Sequence, residues 1–156
     1  MPVKLLLLTI ILLMISAIDW KWMIIPNSLT VAVALIAVWS CASEGIPNMA
    51  ERAAGCFLIS VPMILLNCAV KNCFGFGDVK LCMAAGFLLG AKGILLAMFI
   101  AVLTGGCYAV ALLIKDRRNR SRRIPFGPFL ALGIWISYVF GSGIIDWYTG
   151  VLKGGW

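Results

Sequence analysis

Six stretches of nearly uninterrupted apolar residues, at 3–18, 28–42, 53–70, 79–90, 93–114 and 126–147, fill most of the 156 positions. Each is bounded by charge, glycine, proline or asparagine. No water-soluble core needs so much apolar chain. With 63% hydrophobic and 12% charged residues and a mean hydropathy of +1.06, a soluble globular class is excluded. In hydrocarbon every backbone N–H and C=O must find its partner within the protein, which leaves helices or a closed barrel. The runs are continuous rather than alternating, so helices are expected. The predicted fold is therefore all-α, a polytopic membrane helical bundle of about six transmembrane helices, as one domain over 1–156. The second and fourth runs are shorter than the roughly 20 residues of a perpendicular span. Their ends should extend into flanking polar residues, or the bilayer should thin around them.

Basic residues in the connections set the orientation. Alternate connections hold Lys21; Lys71 and Lys80; and Lys115, Arg117, Arg118, Arg120, Arg122 and Arg123, whereas the other side holds Lys4, Arg52, Lys92 and Lys153. Nine against four places both termini outside and the Lys115–Arg123 loop in the cytoplasm. That loop is explained as a topology determinant that also touches anionic headgroups, and nucleic-acid binding is not expected. The net charge of +7 is thus mainly an address. Lys4 followed by an apolar run has the outline of a secretory signal peptide, but so many later spans make an ordinary first helix the simpler reading.

Histidine is absent, which removes Ser-His and Cys-His catalysis and the usual zinc sites. The six cysteines, at 41, 56, 68, 73, 82 and 107, form no Cys-x-x-Cys pair. They are read as small buried apolar side chains, and no metal or cofactor is expected. Of the six acidic residues, Glu44, Glu51, Asp116 and Asp146 have ordinary interfacial explanations. Asp19 and Asp78 differ. One ends the first span and the other opens the fourth, so both fall at the cytoplasmic edge although 59 positions separate them.

Ionisable groups at such a place usually serve a pathway or a site. Two carboxylates brought close cannot both ionise easily, so one holds a proton while the other stays charged. Such a pair can hydrolyse a peptide: the ionised aspartate takes a proton from the attacking water and the protonated one donates to the oxyanion. Around Asp78, in Gly75-Phe76-Gly77-Asp78-Val79-Lys80, two glycines let a neighbouring helix or an extended substrate come close. A helix-capping aspartate in a loop would explain the same residues. Around Asp19, the tryptophans mark the interface, and Pro26-Asn27 starts the second helix with Asn27 or Ser28 as its cap. A plain interfacial turn accounts for all of this except Asp19 itself.

Three separated segments carry a resemblance. Asp19 with Ile25-Pro26-Asn27, Gly75-Phe76-Gly77-Asp78-Val79-Lys80-Leu81, and Ile124-Pro125-Phe126-Gly127-Pro128-Phe129 together resemble the type IV prepilin peptidases, Gly-x-Gly-Asp intramembrane aspartic proteases. The resemblance implies cleavage of the short basic leader of pilin-like (prepilin) precursors, just before their hydrophobic helix and typically after a glycine. It places the enzyme in the bacterial inner membrane with the site facing the cytoplasm, and implies Asp19 and Asp78 as the catalytic pair. Larger members carry an amino-terminal part with paired Cys-x-x-Cys motifs that methylates the new terminus. That part is missing here, so peptidase activity alone is expected. Many relatives have an acidic residue where Asn27 stands, which leaves the role of this position open.

Lys80 is read as an interfacial anchor rather than a catalytic group, since residues two apart on a helix do not share a face. Pro125, Gly127 and Pro128 are expected to shape the start of the last helix rather than touch substrate. The rival from another class is a small proton-coupled transporter, in which membrane-edge aspartates relay protons. A secretion-system membrane subunit is the third. Precursor identity and oligomeric state are not written in the sequence.

Overall fold

The computed structural model describes residues 2–44, 49–70, 75–115 and 124–152. Lys71, Cys73, Asp116, Lys153 and the arginines of 117–123 lie outside the described residues. The chain is all-α: α1 (Pro2–Trp22), α2 (Asn27–Glu44), α3 (Met49–Ala69), α4 (Phe76–Lys115) and α5 (Gly127–Leu152). Four of these, α1, α3, α4 and α5, are long and apolar enough to cross a membrane, while α2 is apolar but shorter. The outer surface is apolar as well, with Leu6, Leu13, Leu35, Leu65 and Phe99 all more than half exposed. A lipid solvent accommodates such a surface, and water does not favour it.

The helices run further than the apolar runs that announce them. α1 continues through Asp19 to Trp22, because a helix ends where its hydrogen bonds end and not where hydropathy drops. It closes at Met23, whose φ of 53° is in the left-handed region common after a helix C-terminus. The Met23 N–H donates to the Asp19 carbonyl at 2.9 Å. α2 begins at Asn27, with the Pro26 carbonyl accepting from the N–H groups of Leu29 and Thr30. Pro26 thus fills the cap position expected of Asn27 or Ser28.

The spans expected at 79–90 and 93–114 are joined in α4, whose helical geometry breaks at Gly90 with φ 74° and ψ 178°. Without a Cβ, glycine adopts this conformation at no steric cost. A straight helix of 40 residues would be about 60 Å long, twice the hydrocarbon thickness. The contacts show how the length is used. Gly86 packs on Gly55 before the break, whereas after it the Ser137 hydroxyl donates to the Gly93 carbonyl and Gly105 faces Phe129. Tyr108 stacks against Trp20, beside Asp19, and Asp19 in turn acts on Asp78 through its charge. Thirty residues of straight helix would hold Asp78 and Tyr108 about 45 Å apart. The second arm of α4 therefore returns toward the end from which the first arm starts.

Among the described residues α1 packs on α2 and α5, α2 and α5 pack on α4, and α3 lies chiefly against α4. α1 runs antiparallel to α2, where Lys4 donates to Ser43, and to α5, where Trp135 Nε1 donates to Thr9 at 3.0 Å. Leu8, Ile15, Leu81, Ile94, Leu130 and Ile134 fill the interior with no exposure. Lipid gives helices little hydrophobic reason to associate, so close backbone packing decides. A Cβ on Gly86 would fall 2.1 Å from the Gly55 carbonyl oxygen. Gly86→Leu is accordingly expected to lower stability by at least about 1–3 kcal/mol, seen as an earlier thermal transition in detergent; an unchanged transition would contradict the backbone contact.

Of the cysteines described, Cys41 and Cys82 are buried, while Cys68 and Cys107 are exposed on the apolar exterior. The expectation of burial fails for those two, because in lipid an apolar side chain needs no burial.

Candidate active site

Four helix ends meet at one end of the bundle: the last turn of α1 and the first turns of α2, α4 and α5. The sequence Gly75-Phe76-Gly77-Asp78 builds the start of α4. The Gly75 carbonyl accepts from the N–H groups of Asp78 at 3.1 Å and Val79 at 3.3 Å, which makes Gly75 the cap and Asp78 the third helical residue. From there the Asp78 carboxylate reaches back to the Gly75 backbone N–H, the geometry by which an acidic residue at this position secures a helix start. That uses one side of the carboxylate. Its Oδ1 is buried without a hydrogen-bond partner among the described residues, an uncommon state for a polar atom and one that marks functional places.

Asp19 is only 5% exposed. Its Oδ2 accepts the Gly127 N–H at 2.9 Å. Gly127 is the first residue of α5, so this donor is one that no helical carbonyl can satisfy. An N–H at a helix start bonds a carboxylate most strongly when the oxygen is charged. The fit is close: a Cβ on Gly127 would stand 2.6 Å from Oδ2 and 2.8 Å from the carboxyl carbon. The two carboxylates are near enough for the charge of Asp19 to act on Asp78, and both are held by backbone N–H groups of a glycine at a helix start.

The remaining motif residues support this arrangement. A Cβ on Gly77 would fall 2.9 Å from Cβ of Ile25, so the bare backbone of α4 lets the turn after α1 lie directly on it. Lys80 Nζ donates to the Asn27 Oδ1 at 3.0 Å on the exposed side of that junction. An acidic residue at 27 would meet the same ammonium. Lys80 thus ties α4 to α2. Pro125 and Pro128 are partly buried; Pro128 lines a cavity of about 370 Å³ between α1 and α5, with Thr9, Ser16 and Trp135.

Gly127 is the residue whose importance the sequence understates. Expected to shape the start of the last helix, it also donates to Asp19 and tolerates no side chain there. Tyr108 is a second omission. Its ring lies 5.8 Å from Trp20 and 5.4 Å from Phe129, tying the second arm of α4 to the residues flanking Asp19 and Gly127. No spacing in the sequence marks it.

A sequence model of the type IV leader peptidase family matches residues 6–110. The chain is 28% identical over 152 residues to the prepilin leader peptidase/N-methyltransferase of Aeromonas salmonicida, covering 94% of this chain and 52% of that protein. It is 28% identical over 148 residues to that of Bacillus subtilis, covering 92% and 58%. With that of Legionella pneumophila it shares 32% over 147 residues, covering 90% and 50%. The chain thus spans about half the length of the curated relatives it matches. No solved structure matches it.

Proposed function

Since the chain belongs to the type IV leader peptidase family, we propose that it is an aspartic endopeptidase that removes the leader of pilin-like precursors, with Asp19 and Asp78 as its catalytic pair. One observation carries the proposal. Two carboxylates 59 positions apart, Asp19 buried and Asp78 partly so, lie at one end of the bundle within electrostatic reach of each other, and Asp78 Oδ1 has no partner among the described residues. Structural aspartates at helix starts spend their oxygens on the backbone; among the described residues nothing bonds Asp78 Oδ1.

In the proposed reaction water attacks the scissile carbonyl as the ionised member of the pair takes its proton and the protonated member donates to the forming oxyanion. Collapse of the tetrahedral intermediate breaks the C–N bond, and the departing amine takes a proton from the pair. The two carboxylates supply every proton transfer. The N–H groups of Gly75 and Gly127 hold them in place.

The reading places the enzyme in the bacterial inner membrane with six crossing segments, the two arms of α4 counted separately. The return of the chain after Gly90 supports this. The site is assigned to the cytoplasmic side, where basic leaders of precursors are found. Among the described residues Lys21, Lys80 and Lys115 are at the aspartate end of the bundle and Lys4, Arg52 and Lys92 at the other, so the assignment rests on the nine-against-four count of the whole sequence.

The test is direct. Purified protein in lipid is mixed with a pilin-like precursor and the products are weighed by mass spectrometry. A single cut is expected between the basic leader and the apolar helix. An intact precursor, or cuts scattered along it, would defeat the assignment.

A further inference from the structure

A second feature at the aspartate end uses neither carboxylate. Between α2, α3 and the first arm of α4 runs a groove of about 460 Å³. Its walls are apolar, with Val31, Ala34 and Val38 from one side and Met83 and Phe87 from the other. At the aspartate end it is lined by two polar residues, Asn27 and Lys80. We propose that this groove seats an anionic phospholipid, its phosphate on Lys80 and Asn27 and one acyl chain along α2.

Charge, donors and depth favour this occupant. The Lys80 ammonium has three N–H donors and spends one on Asn27 Oδ1, leaving two for a further acceptor. That same bond turns the Asn27 oxygen toward the lysine, so its NH₂ is left as another donor at the aspartate end. A cation with an amide beside it, at a helix start, suits a phosphate oxygen. Depth separates a lipid from a polypeptide. From Asn27 to Val38 the groove follows twelve residues of α2, a rise of about 16 Å, roughly half of the ~30 Å hydrocarbon core. One leaflet of acyl chain matches that depth, whereas a transmembrane helix would need the full thickness. Bound there, the lipid would brace the α2–α4 junction on which Ile25 and Gly77 also meet.

The proposal is tested by native mass spectrometry of the protein released from neutral detergent, with phosphatidylglycerol and phosphatidylcholine of identical acyl chains in competition. The wild type should retain phosphatidylglycerol about fivefold over phosphatidylcholine, the preference that one interfacial lysine confers. Lys80→Met should bring that ratio close to one. Ala34→Phe, which fills the groove but spares the lysine, should reduce retention of both lipids. Equal retention by the wild type would overturn the site, as would an undiminished preference in Lys80→Met with unchanged helical circular dichroism. So would displacement of the lipid by equimolar inorganic phosphate, or by an apolar precursor helix, which would mark the groove as an anion site or a peptide seat instead.

Discussion

Replacing Asp19 or Asp78 by asparagine is expected to slow precursor cleavage by at least about a thousandfold, the upper part of what a positioned proton-transfer group supplies. The substitutions are chosen for what they keep. An asparagine at 19 still offers an oxygen to the Gly127 N–H, and one at 78 still offers an oxygen to the start of α4. Neither amide can take a proton from water or deliver one to an oxyanion. Both variants should therefore insert and melt like the wild type while leaving the precursor uncut. The double variant should be scarcely slower than either single one, because groups that act as a unit do not lose activity additively. Gel mobility of the precursor over time reads all three. Processing by either single variant at the wild-type rate would remove the aspartates from the chemistry, whatever else the fold does.

The meeting of Asp19 and Asp78 at one end of the bundle was legible in the sequence for a physical reason. A carboxylate at the edge of an apolar run is costly to place, so few are found there, and the alternation of connections puts Asp19 and Asp78 at one edge before any coordinate is known. The helical class was legible in the same way, since continuous apolar runs have only one way to satisfy their backbone in lipid. Helix ends were not. Hydropathy falls at Ile18, yet hydrogen bonding carries α1 to Trp22 and puts Asp19 inside the final turn, which fixes where its side chain leaves the helix. The return of α4 at Gly90 was seen as a gap between two spans, but no apolar pattern reports a backbone φ of 74°. The roles of Gly127 and Tyr108 depend on contacts that join segments about a hundred residues apart. A single sequence without its fold has nothing to say about such distances.

Gly127→Ala is expected to cut the rate of precursor cleavage by about a hundredfold, the loss that follows when a reacting group is misplaced by about 1 Å. Alanine is a better helix former than glycine, so on propensity alone the change would strengthen α5. The local geometry reverses that. A methyl group at this point would lie 2.6 Å from the Asp19 oxygen that accepts the Gly127 N–H and 3.1 Å from the Asp19 Cβ. The obstructed atoms are not the far end of a flexible chain: they belong to a short, buried side chain with few rotamers. Relief must come from swinging the carboxylate off its donor or from backing α5 away from α1, and either motion carries Asp19 away from Asp78. Gly106→Ala supplies the comparison, since its Cβ would meet nothing within 4 Å and it should cleave normally. A Gly127→Ala enzyme that also cleaved normally would mean that the N–H of α5 does not position Asp19 for the reaction. If activity fell while the thermal transition and precursor affinity held, the loss would lie in the placement of one carboxylate rather than in the bundle that carries it.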